Sequence, residues 1–196
     1  MNLSELLNGP MGQLVAGTVA DQLGIDKQQA TGVVDLAVPA ILEGIARNAQ
    51  SPKGAESLYS ALESKHDGSL LDNLMGILQG NSLELQEDGN GILGHVFGND
   101  RTTIEQGLSQ KAGVSLNKIG PLLSTLAPVV MAYLGKEKRQ ANTDAGGLGN
   151  LLSGFLGGQS QSQSGGGILD MLSSALDKDG DGNPLNDILD GFLGGR

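Results

Sequence analysis

The residues best suited to chemistry lie near the end of the chain, in the run Asp177-Lys178-Asp179-Gly180-Asp181-Gly182-Asn183. Carboxylates at the first, third and fifth places followed by glycine at the sixth open an EF-hand-type calcium loop. Alternate acids converge on a hard cation, and the glycine allows the turn that brings a backbone carbonyl, here that of Asn183, onto it. The continuation departs from that pattern: Leu185 and Ile188 stand at the ninth and twelfth places, and the twelfth belongs to a bidentate Glu. Asp187 takes that role if Asn183 caps a helix starting at Pro184, since proline suits the first helical position and Asp187 then projects back towards the loop. The ligand set read from the residues is Asp177, Asp179, Asp181, Asn183 and Asp187, holding Ca2+ weakly. The competing reading is an acidic, solvated turn between two short helices.

No other constellation assembles a catalytic or metal centre. Zero cysteines exclude disulfides, thiol catalysis and Cys-ligated metals. His66 sits in Lys65-His66-Asp67-Gly68, a helix end and turn. His95 lies among Leu93, Val96 and Phe97 and reads as a packed or interfacial histidine. Two isolated histidines do not make a zinc site. A Gly-x-Ser-x-Gly elbow is missing, and Gly135-Lys136 lacks the rest of a phosphate-binding loop. The expectation is a protein that is not an enzyme.

Composition narrows the partners. The net charge of −10 repels phosphate backbones, so nucleic-acid binding is not expected. The basic run Lys136, Lys138, Arg139 reads as a solvated helix C-terminus favoured by the helix dipole. The N-terminus carries neither a basic region nor an unbroken apolar stretch, and Leu122 to Leu134 falls short of the ~20 residues of a membrane span. No transmembrane segment and a cytoplasmic location are expected.

These residues must be positioned by helices. With 3% aromatics and no Trp, the core is built from Leu, Ile, Val and Ala, and the fold expected is all-α. A helical domain over 1–140 is followed by a Gly/Ser-rich tail over 141–196. Within the domain the pattern predicts an internal duplication, with repeat units at 9–50 and 98–139. Laying Gly24 on Gly113 brings Asp26 onto Ser115, both N-cap types, and Pro39 onto Pro128. Asp26 with Gln29 has the spacing of a capping box. Val34, Val38, Ile41 and Ile45 fall on one helical face and meet Leu123, Ala127, Val130 and Leu134. Val15 and Val19 meet Ile104 and Leu108. The matched prolines predict a kink or break, because interior proline loses a hydrogen bond to the carbonyl four residues back. Shorter helices are expected over 3–7, 11–23, 54–64, 68–79 and 101–111. Only 82–86 has strand character, and Glu87-Asp88-Gly89-Asn90-Gly91 reads as a turn.

The tail repeats a motif. Asn150-Leu151-Leu152-Ser153-Gly154-Phe155-Leu156-Gly157-Gly158 is echoed by Asp187-Ile188-Leu189-Asp190-Gly191-Phe192-Leu193-Gly194-Gly195, with Ile168 to Leu176 between them. Pieces this short are unstable alone and must bury their Leu/Phe faces on the main domain, on each other or on another chain.

At Leu23-Gly24-Ile25-Asp26, the Val-Val/Pro helix and Ser51-Pro52-Lys53-Gly54, the chain resembles the bacterial YidB-like family of small helical proteins. Gly91 to Gly98 (GILGHVFG) leading to Leu126-Ala127-Pro128-Val129-Val130-Met131 resembles a larger related group known as a domain of unknown function. The resemblance covers about 10–140 and implies an all-helical bacterial protein without assigned catalytic residues. The function expected is a non-catalytic helical interaction or scaffold protein that forms a homo-oligomer, its tail a connector ordered by calcium. The alternative is a monomeric adaptor that binds a protein partner or lipid through an apolar helical groove.

Overall fold

Proline and short polar residues set the helix starts, and left-handed residues set several of the stops. The structure, a computed structural model, describes residues 9–72, 74, 76 and 82–157. The chain divides into two compact units, Met1–Gln161 and Ser162–Arg196, and all described residues belong to the first. Helix α1 (Pro10–Leu23) begins on its proline and ends at Gly24, whose φ of 58° only glycine adopts freely. Helix α2 (Lys27–Asn48) starts at Asp26, whose carboxylate accepts from the Gln29 amide at 2.8 Å. Helix α3 (Pro52–Ser64) starts at Ser51, whose hydroxyl accepts from the Gly54 amide at 3.0 Å. The short α4 (Ser69–Asp72) follows. Helix α5 (Ser82–Phe97) leads through a 3-10 turn at Gly98–Asp100 to α6 (Arg101–Ala112), which ends at Gly113 with φ 65°. Helix α7 (Leu116–Ala141) ends at Asn142, φ 49°, and α8 (Leu148–Gly157) closes the described chain. Among the described residues there is no strand, and the fold is all-α.

Helix α7 is the axis. Every residue from Leu122 to Gly135 is buried, and α1 to α6 all pack on it. A helix apolar on all sides can exist only where every side has a neighbour. The residues of the predicted apolar faces are all buried, Val34, Val38, Ile41 and Ile45 on α2 and Leu123, Ala127, Val130 and Leu134 on α7, and burial extends beyond those faces. By length and composition α2 and α7 could each cross a membrane, contrary to the reading of Leu122–Leu134 alone. Their most apolar windows are 61% and 83% buried inside the fold, as core helices are.

Three expectations give way. Of the kink or break expected at Pro39 and Pro128, the break is absent: α2 and α7 run through both prolines. The segment 82–86 is helical, and the turn expected at Glu87–Gly91 lies inside α5. The reason is a close crossing of α5 over α7. A side chain at Gly89 would overlap the carbonyl of Ser124. Pro128 has no N–H to offer the carbonyl four residues back, and that carbonyl belongs to Ser124. The Cα–H of Gly89 faces this freed oxygen, a weak contact that only a glycine permits. Third, Lys138 is not solvated: it is buried, for reasons given below.

Candidate functional site

Two features of the surface bear on function. The first is the seat of α8. Asn142 turns the chain, its own amide donating to the Arg139 carbonyl and that of Thr143 to Lys138. Asp144 then accepts from the Gly147 amide at 2.8 Å, which starts the next helix. Leu148, Leu152 and Phe155 recur at helical spacing and are 1%, 2% and 5% exposed. They set α8 against α2 and α3, and Phe155 meets the ring of Tyr133 on α7. Leu151 and Leu156 are half-buried, while Asn150, Ser153 and Gly154 face outwards. Each buried Leu or Phe contributes roughly 1.5–3 kcal/mol. Together they hold a ten-residue helix that would not persist alone.

The second feature is an open groove of about 770 Å³ between α3 and α5. Ile45, Leu58, Ala61, Ile92, Val96 and Met131 give it apolar walls and floor, and Lys53, Lys65, Glu87 and His95 bring charge or polarity to it. Asn48 ties its end together, its amide donating to the carbonyls of Gly44, His95 and Val96 at 3.0–3.1 Å. His66 is buried beside it, with Nε2 3.7 Å from an Asp88 carboxylate oxygen on α5 and Nδ1 without a hydrogen-bond partner. Burial pushes the His66 pKa down; Asp88 opposes that shift and Lys65 adds to it. His95, expected to be packed or interfacial, is not packed: Leu93 and Phe97 take the inward face of α5 and leave His95 exposed at the groove.

Beside these lies a buried cation missed at the sequence level. Lys138 is 4% exposed; its ammonium donates to Glu63 at 2.8 Å and sits 3.8 Å from the centre of the Tyr59 ring. Both partners come from α3, so neighbouring sequence gave no sign of them. The Lys138 hydrogen bond holds the Glu63 carboxyl below its ordinary pKa. Arg139 donates to Asp67 at 3.3 Å, closing the same corner.

The loop residues Asp177, Asp179, Asp181, Asn183 and Asp187 lie outside the described residues, as do the helix expected over 3–7 and the second tail motif. Among the described residues no three His, Asp or Glu side chains gather as a metal site would require. The groove has mixed apolar and polar walls, and the seat is filled by the chain's own α8.

No curated protein and no solved structure matches the chain. A family model described as "bacterial protein of unknown function (DUF937)" matches residues 5–137, a stretch that ends within the last turns of α7 and leaves out α8, and the chain belongs to that family.

Proposed function

We propose that this is a non-catalytic helical interaction protein of the bacterial cytoplasm, which associates with copies of itself through its Gly-rich tail. The observation that carries this reading is the seating of α8: a tail motif buries Leu148, Leu152 and Phe155 on the helical body. The body is thus a receptor for short Leu/Phe helices, and the tail holds more such sequence than α8 alone. The Asp-rich loop is the regulated part. Calcium held by Asp177, Asp179, Asp181, Asn183 and Asp187 relieves carboxylate repulsion and orders the helix that follows, coupling the ion to association. The charge of −10 disfavours nucleic acid as the partner.

We read α1–α2 and α6–α7 as two copies of one unit, in keeping with the YidB-like resemblance of the first. Both pairs turn on a left-handed glycine, Gly24 and Gly113, and both second helices carry an interior proline at the matched position. The unit is scaffold; the specificity lies in what it seats.

Light scattering of the full chain over a concentration range, with and without millimolar calcium, tests this reading. Mass rising with concentration, and further with calcium, is expected, with the calcium increment lost in Asp179→Asn/Asp181→Asn. A monomer mass throughout sinks self-association, and indifference of both mass and helicity to calcium sinks the metal. The groove between α3 and α5 favours a second reading, a monomeric adaptor taking an amphipathic partner or a lipid there. A constant monomer mass with an apolar probe bound at that groove is its signature.

A further inference from the structure

The way α8 is seated gives the second tail motif a specific meaning. Laying Leu148 on Leu185 places Leu152 on Leu189 and Phe155 on Phe192. These are the three side chains that α8 buries. The half-buried Leu151 and Leu156 fall on Ile188 and Leu193, which keep an aliphatic side chain at each. The new charges are confined to the outward face: Asn150 and Ser153, both exposed, fall on Asp187 and Asp190. The start of the helix differs: Gly147, whose amide donates to Asp144, falls on Pro184, which has no N–H to give Asp181. A carboxylate facing the seat would lose its hydration without gaining a partner; the echo puts none there.

We infer that Leu185–Gly194 is a second helix for the same seat, and that it occupies the seat on a second copy of the chain. This rests on the self-association proposed above and names its contact. One body carries one seat and two sequences that fit it. In its own chain α8 holds the seat through the short turn at residues 142–147, which gives it a high effective concentration. The second sequence is the surplus one, and its binding site is the seat of a neighbour whose α8 has opened. Phe192 then takes the place of Phe155 against the neighbour's Tyr133 ring. Occupancy rises with protein concentration and with anything that loosens the neighbour's α8, because the two helices exclude each other.

Isotope labelling of one copy separates contacts between chains from contacts within one, so crosslinking reads this directly. A full chain with a benzophenone amino acid replacing Leu193, at the rim of the motif, is mixed with ¹⁵N-labelled chain and irradiated. Light–heavy crosslinks to α2, to α3 or next to Tyr133 of the labelled chain are expected. Their yield should rise several-fold when the labelled chain carries Leu152→Asp/Phe155→Asp, with circular dichroism checking that it remains folded. It should vanish when the probe chain also carries Leu189→Asp. Light–heavy crosslinks mapping elsewhere, or surviving Leu189→Asp, overturn the seat while leaving self-association standing. Products joined only within one chain, with a mass that still grows with concentration, overturn it in the same way. A monomer mass at every concentration overturns both.

Discussion

Phe155 meets Tyr133 edge to face, the ring centres 5.6 Å apart and the planes inclined at 60°. In a chain with 3% aromatic residues this pairing is a concentrated investment, joining the tail to the central helix. An edge-to-face pair adds about 0.5–1.5 kcal/mol beyond the area it buries. The contact decides whether α8 is a docked element or a free end, and so whether the seat is open to another helix.

Phe155→Ala removes the ring contact and one of three anchors. Because α8 packs on the body along one face, with Asn150, Ser153 and Gly154 exposed, the loss should appear as local opening rather than global unfolding. Hydrogen exchange at the Leu151–Phe155 amides is expected to accelerate at least tenfold, about 1.4 kcal/mol, while the α7 amides keep their protection. Equal acceleration in α7 would show that α8 is an inseparable part of the core.

Gly89→Ala and Gly94→Ala should have opposite signs, although both sit within α5. A Cβ at 89 overlaps the Ser124 carbonyl, whereas one at 94 meets nothing within 4 Å. Denaturant titration should show Gly89→Ala destabilising by about 1–3 kcal/mol. Gly94→Ala should stabilise by up to ~1 kcal/mol, the helix-propensity gain. Two changes of the same sign would mean that the α5–α7 crossing is looser than described.

His66 should make the fold acid-sensitive. Its folded pKa is lowered from 6.5, chiefly by burial, so the unfolded chain binds the proton more readily. The neutral histidine therefore contributes stability that is present above pH ~6.5 and lost as pH falls through the folded value. In His66→Gln that limb of the pH–stability curve should flatten. In Asp88→Asn, which removes the carboxylate supporting the charged form, NMR should find His66 titrating lower still. A rise would contradict the pairing of these two side chains.

Lys138→Met should lower the melting temperature at neutral pH by less than Lys138→Ala does, because the apolar stem still covers Tyr59. Both should shrink the acid limb due to Glu63. That carboxyl, held below 4.5 by Lys138, contributes stability present above 4.5 and lost as pH falls through its folded value. An acid limb unchanged in both variants would remove Lys138 as its cause.

What the sequence made legible was local. Asp26 with Gln29, and the spacing of Val34, Val38, Ile41 and Ile45, announce a capped helix with a buried face, because the signal lies within a turn or two, whereas the burial of α2 on all sides over 37–42 depends on its distant neighbours. Glu87–Gly91 misleads for the opposite reason. Its glycines weaken a helix in isolation, and the use of Gly89 is visible only once Ser124 is brought against it. Lys138 misleads likewise, since Glu63 and Tyr59 come from a distant helix. The tail motif was legible as something that must be buried, from Leu151, Leu152 and Phe155, but only the seat shows which face and against what. The Asp-rich loop, the sharpest chemical signal in the sequence, lies outside the described residues.

Sedimentation equilibrium of the full chain beside its Leu189→Asp/Phe192→Asp variant, over the same micromolar to millimolar range, tests the exchange of tail helices most directly. Seating of the second motif on a neighbour predicts a weight-average mass that climbs with concentration for the wild type and stays at the monomer value for the variant. Identical curves for the two chains, whether both monomeric or both associating, would contradict it.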